Sequence, residues 1–232
     1  MERKSWELTE KQKNEMQDIF EYNKYVYQQQ EYFIKIMNYI DNIINEMLEE
    51  GEISEYGEFR ARIKSPKSAL KNDPVKALDD VFGMEIITAT EYEYEKIMKE
   101  LEEFMTVQKV KDHNKENGYK AKHRTMTLMK DKLQLLGIPS KVFEEVPMIE
   151  FQFKTFQTLM QTQTGTAKHS DYKNEDMEAI QEKYDKYGCD PYELPTMWVS
   201  KGGKMVMLTP DEAMKKLYPL LKPRDRKKGV EK

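Results

Sequence analysis

Val81-Phe82-Gly83-Met84-Glu85-Ile86-Ile87-Thr88-Ala89-Thr90 is the stretch on which the fold turns. Its β-branched and apolar residues read as a buried strand. Glu91–Phe104 follows at helical spacing through Ile97, Met98, Leu101 and Phe104. Upstream, Glu58–Lys64 alternates as a strand, and Ser65-Pro66 breaks it so that Ser65 caps a short helix through Lys71. Downstream, residues 105–112, Arg124–Met129 and Met148–Phe153 read as strands, with a turn at Asn117-Gly118. Residues 131–146, broken by Gly137 and Pro139, carry no clear pattern. Phe156–Thr162 and Asn174–Tyr187 read as helices. Trp198-Val199 and Met205–Leu208 flank Lys201-Gly202-Gly203-Lys204, a hairpin signal, and Thr209-Pro210-Asp211-Glu212 starts a last helix. Residues 9–50 are helical, with Thr9 and Gln12 as a capping box, Phe33, Ile36, Met37, Ile40, Ile43, Ile44, Met47 and Leu48 as an apolar stripe, and Gly51 as the stop.

Strands mixed with helices predict an α+β fold: one mixed sheet of about five strands flanked by helices. The expected division is N-terminal helices over 1–52, a central unit over 53–190, and a hairpin, helix and basic tail over 191–232.

The chain has 232 residues, with 38 Lys+Arg against 42 Asp+Glu, a net charge of −4. That balance excludes a uniformly basic nucleic-acid coat and leaves only a local patch for a polyanion. The single cysteine, Cys189, excludes an internal disulfide framework and a Cys-based zinc site, and points to a reducing compartment. Mean hydropathy is −0.86. No apolar run approaches the length of a membrane span, and Met1-Glu2-Arg3-Lys4-Ser5-Trp6 lacks the apolar stretch of a secretory signal. A cytoplasmic protein with no membrane partner is expected.

Charge is strongly segregated. Residues 60–71 carry five cations, Arg60, Arg62, Lys64, Lys67 and Lys71, and no acid. On a strand Arg62 and Lys64 share a face, and Lys67 and Lys71 share one on the following helix. A strand that ends in a cationic helix start can cradle polyphosphate; a solvated edge of scattered cations is the plainer alternative. Asp80 precedes the buried strand, and Glu150 sits among apolar strand residues in Ile149-Glu150-Phe151-Gln152-Phe153. Buried acids need a partner or a metal, and two carboxylates on neighbouring strands suit Mg²⁺. Asp79 reads equally as a cap. Asn117-Gly118-Tyr119-Lys120-Ala121-Lys122-His123 offers a turn, an aromatic face for a base and two charges. His113, His123 and His169 are the only histidines. There is no HExxH pair, no Walker loop and no GxSxG elbow, which excludes zinc-hydrolase, P-loop ATPase and serine-hydrolase readings.

Taken in order, these clusters resemble the synthetase domain of the RelA/SpoT family in its small, single-domain form. Arg62-x-Lys64-x-x-x-Ser68 is similar to the family's ATP-binding pattern, and Asp80-Val81-Phe82-Gly83 to its Mg²⁺-binding strand. Asn117-Gly118-Tyr119-x-x-x-His123 resembles the acceptor-stacking loop, and Glu150-x-Gln152-x-x-Thr155 the strand with the second catalytic carboxylate. Gly165-x-Ala167-x-His169-x-x-Tyr172-Lys173 resembles the closing motif. The resemblance covers residues 55–175.

It implies a nucleotidyltransferase-like sheet and transfer of the β,γ-pyrophosphate of ATP to the 3′-hydroxyl of GDP or GTP, making a (p)ppGpp-type alarmone. It further implies Asp80 and Glu150 as catalytic Mg²⁺ ligands, with Glu150 a possible base. Arg62, Lys64, Ser68 and Lys71 would bind ATP. Tyr119, Lys120, Lys122, His123 and Gln152 would bind the acceptor. Some relatives are toxins of toxin–antitoxin pairs that modify the 3′ end of tRNA, or use adenosine nucleotides. That branch would bring a tRNA and an antitoxin as partners, with Lys222–Lys232 available for RNA phosphates. A catalytically inactive nucleotide-binding module is a third reading. A homo-oligomer would be served by the regions outside the resemblance. The family's hydrolase domain is not expected here.

Three positions depart from the family pattern. Glu85 stands where an arginine commonly helps to sandwich adenine, Ala121 where serine is common, and Lys154 where arginine is common.

Overall fold

The computed structural model describes residues 10–54, 57–71, 80–114, 120–138, 147–163 and 176–223. Strands β1 (Glu58–Ile63), β2 (Phe82–Thr88), β3 (Met105–Asn114), β4 (Lys120–Leu128), β5 (Ile149–Thr155), β6 (Thr196–Ser200) and β7 (Met205–Met207) form one sheet in the order β3-β4-β5-β2-β1-β6-β7. Only β2 and β5 pair in parallel; the other neighbours are antiparallel. The sheet is mixed, as expected, but has seven strands rather than about five. The added pair is the C-terminal hairpin. Its Met197, Trp198 and Val199 are buried because β6 pairs along β1 instead of standing apart.

The long helix α1 (Glu10–Glu49) is continuous over 40 residues, about 60 Å at the helical rise. Gly51 at φ 73° follows it, a left-handed position where glycine carries no Cβ penalty. Thr9 lies outside the described residues. Phe33 of α1 is fully buried, 4.9 Å from the Phe82 ring and 6.1 Å from Trp198. One helix thereby packs across β2 and β6. Helix α3 (Glu91–Glu102) opens with a full capping box between Thr90 and Glu93. Its Tyr94 meets Phe153 of β5 on that same apolar face, 6.2 Å between rings. The short helix α2 (Pro66–Leu70) is capped by Ser65, whose hydroxyl accepts from the Ser68 amide. Helices α4 (Phe156–Gln163), α5 (Met177–Tyr187) and α6 (Pro210–Leu217) follow, α6 with its own capping box at Thr209 and Glu212.

The segment without a clear pattern contains a 3-10 helix over Lys130–Leu136, closed by Gly137 at φ 61°. Strand β4 begins at Lys120, four residues earlier than the sequence suggests. Its first residues are polar because they pair with the exposed strand β3, so hydrophobicity does not mark them.

The two-residue period divides the sheet. Phe59, Ala61, Ile63, Phe82, Met84, Ile86, Ile149, Phe151 and Phe153 face the core. Arg60, Arg62, Gly83, Glu85, Glu150, Gln152, Lys154 and His123 are brought to the opposite face.

Candidate active site on the polar face of the sheet

Register places the polar side chains in rows. Arg62 on β1 is opposite Gly83 on β2, which is opposite Glu150 on β5. Arg62 Nη2 lies 3.7 Å from Glu150 Oε2, so it reaches across the whole width of β2. Gly83 leaves the space for this crossing: a Cβ there would stand 3.0 Å from Arg62 Nε and 3.3 Å from its Cγ. The glycine of the Asp-x-x-Gly stretch is therefore explained by close approach of a side chain, in ordinary strand backbone.

Glu150 is the point on which the neighbours converge. His123 Nδ1 is 3.2 Å from Oε1, and Gln152 donates through Nε2 to Oε2 at 2.9 Å. Burial alone pushes the Glu150 carboxyl up, but the His123 and Gln152 hydrogen bonds and the charges of His123 and Arg62 outweigh it and hold the group at about 2. The His113 ring stands edge-on to His123, 4.5 Å between centroids.

At the end of β1, Lys64 donates to Asp80 Oδ2 at 2.6 Å. The Lys64 backbone is itself pinned: its amide donates to the Val81 carbonyl at 2.8 Å, and its carbonyl accepts the Tyr22 hydroxyl from α1. Both candidate metal carboxylates thus have a cation from β1 or the residue after it beside them, Lys64 for Asp80 and Arg62 for Glu150.

A second row is Arg60, Glu85, Gln152 and His123 across β1, β2, β5 and β4. Glu85 accepts from Arg60 Nη1 at 3.0 Å and from Lys154 Nζ at 2.5 Å. Arg60 also donates to Glu58 at 2.7 Å, and Glu58 accepts from Lys216 of α6. Glu85 is half-buried, and desolvation alone would raise its pKa, yet Lys154 and Arg60 overcome that and hold it at about 2. The residue that departs from the family's arginine is thus the centre of an ion ladder. The period that groups Arg62 with Lys64 also includes Arg60. Lys216 lies more than 150 residues from its partner in the chain, and no local pattern announces it.

The other candidates fall as follows. Ser68 and Lys71 lie on and just after α2, Ser68 through its amide on the Ser65 cap. Lys120 is the exposed first residue of β4. Lys122 is not brought to the cluster. It occupies the opposite face of β4 from His123, donates to Glu95 of α3 at 2.6 Å, and lies 5.5 Å from the centre of the Tyr94 ring. Tyr119, Asp79, the Asn117-Gly118 turn and the 165–173 motif lie outside the described residues, as do residues 224–232 of the basic tail.

The donor chemistry around Asp80 and Glu150 fits magnesium. Both side chains end in hard carboxylate oxygens, and no group of three or more His, Cys, Asp or Glu side chains suited to a metal occurs among the described residues. No helix among the described residues is long and apolar enough to cross a membrane.

Residues 60–177 match the family model described as "Region found in RelA / SpoT proteins", which makes the chain a pyrophosphokinase by class. More narrowly, it belongs to the RelA/SpoT family. Among solved structures it is similar to the small alarmone synthetase 1 from Bacillus subtilis, with 14% identity and a TM-score of 0.49 over 69% of this chain and 84% of that one. A GTP pyrophosphokinase family protein from Streptococcus pneumoniae shows 11% identity and a TM-score of 0.47 over 70% and 83%. The small alarmone synthetase 2 from Bacillus subtilis shows 17% identity and a TM-score of 0.41 over 66% and 95%. No curated protein matches the chain.

Proposed function

We propose that the chain transfers the β,γ-pyrophosphate of ATP to the 3′-hydroxyl of GDP or GTP, forming a (p)ppGpp-type alarmone. Family membership supports the reaction class. The observation that carries the site assignment is the convergence of Arg62, His123 and Gln152 on Glu150, together with the Lys64–Asp80 pair at the end of β1.

The transfer requires in-line placement of the acceptor hydroxyl and neutralisation of charge on the phosphoryl oxygens. Asp80 and Glu150 would hold Mg²⁺, which supplies charge neutralisation on the transferred group. Arg62 and Lys64 extend from the same strand and are the cations assigned to the donor phosphates, with Lys71 and Ser68 on the following helix. Arg62 and Lys64, which pair with Glu150 and Asp80 here, would face the donor phosphates, and the two carboxylates would be the groups that hold the ion. Glu150 is assigned to the metal, with removal of the acceptor proton as a second role. Tyr119, Lys120, His123 and Gln152 are assigned to the acceptor; Lys122, which faces α3, is not.

The test is labelling. Purified protein is incubated with γ-³²P-ATP and, in separate arms, GDP, GTP, AMP and deacylated tRNA. Label on GDP or GTP is expected. Label on tRNA or AMP alone would overturn the acceptor assignment, and label on none would overturn the reaction.

A further inference from the structure

Gln152 has two carboxylates within its reach. Glu150 lies two residues back on the same face of β5, and Glu85 is its direct partner across the β2–β5 pair. Its amide donates to Glu150. The reason lies on the other side of Glu85. One oxygen of Glu85 accepts from Lys154 and the other from Arg60, both charged donors and both nearly buried, at 8% and 7% exposure. Charge-assisted hydrogen bonds of this kind are stronger than one from a neutral amide. Arg60 is held in turn by Glu58.

We infer that Lys154 and Glu85 are positioning residues: Lys154 occupies Glu85, and so leaves the Gln152 amide to orient Glu150. This rests on the function proposed above for Glu150. It also gives the two departures from the family pattern a joint meaning. Glu85 is tolerable beside Gln152 because Lys154 neutralises it, and Lys154 is tolerable in a buried position because Glu85 receives it. Neither residue is assigned to the reacting atoms.

The consequence is an uncommon pattern of variants. In Lys154→Met, Glu85 keeps its charge and loses a donor, so the Gln152 amide turns to it and Glu150 is released. The expected result is a fall in kcat of about tenfold, with KM for ATP changed by less than about twofold. Lys154→Arg should retain activity within about twofold of the parent, because a guanidinium also satisfies Glu85. The double variant Glu85→Met/Lys154→Met removes the competitor together with its partner, and should recover most of the loss. A purely structural role predicts the reverse, with the double variant at least as impaired as the single one.

A crystal structure of Lys154→Met decides the point without activity: Gln152 Nε2 should lie within hydrogen-bond distance of Glu85. Gln152 remaining on Glu150 in that crystal, or a double variant no better than Lys154→Met, would overturn the inference. If Lys154→Met does not fold, the double variant alone is decisive, since near-parent kcat supports the inference and loss of kcat contradicts it. If the parent protein labels no acceptor, the proposed function falls while the crystal still decides the positioning role.

Discussion

Glu150 and Glu85 are both carboxylates held near 2 on one face of a sheet, yet they lead to different predictions. Glu150→Gln keeps the shape of the side chain and removes its charge. Labelling should fall by more than about 100-fold while the protein melts within a few degrees of the parent, as expected for a group used in the transition state. Unchanged labelling would remove Glu150 from the site. Glu85 is predicted to matter for acid stability. Its folded pKa of about 2 lies below the ordinary 4.5, so its contribution is complete above about 4.5 and is lost as pH falls towards 2. Urea melts at pH 7 and pH 3 should show Glu85→Gln less stable than the parent at neutral pH, with the gap narrowing in acid. A gap that stays constant would show that Glu85 is not held by Lys154 and Arg60. The stretches around Arg62, Asp80 and Glu150 can be picked out in the sequence because each is local. Lys122 and His123 part company for a physical reason. Read as part of a loop, it could join His123; on a strand the two alternate, and Lys122 faces α3.

At the level of elements, β1 supplies Arg62 and β5 supplies Glu150, and Gly83 of β2 between them is what lets Arg62 reach across. Gly83→Ala introduces a Cβ into the path of Arg62 without a backbone conflict, since the residue sits in regular strand. KM for ATP should rise by about tenfold, with thermal stability lowered by less than about 2 kcal/mol. An unchanged KM would mean that Arg62 does not use this crossing. Caps were readable in advance at Ser65 and Thr209 because side-chain chemistry and spacing suffice for them. The capping box at Thr90 also receives the Ser54 amide on Glu93, at 2.8 Å, so it ties the segment after α1 to α3. Thr90→Ala should cost about 1 kcal/mol in a denaturant melt. Register was not readable: rows such as Arg60–Glu85–Gln152–His123 combine four strands whose order is set by tertiary pairing.

For the molecule as a whole, the sequence separates a C-terminal hairpin and helix from the central unit, while in the structure β6 pairs along β1 and Trp198 packs against Phe33. Lys216 further ties α6 to Glu58, and Glu193 holds both Lys67 of α2 and Lys183 of α5. Deleting residues 196–232 would expose the β1 edge and part of the core, and the truncated chain should be recovered largely as aggregate. A soluble, cooperatively melting truncation would show the central unit to be independent. The α+β class followed from alternating local patterns, but the strand count did not, because whether a hairpin stands alone or joins a sheet is decided by contacts distant in sequence. The most direct measurement remains the transfer itself: γ-³²P-ATP with GDP or GTP, for the parent and Glu150→Gln in parallel. Label on the guanosine nucleotide with the parent and its loss with Glu150→Gln is the predicted result. No label with the parent, or equal label with both, would contradict it.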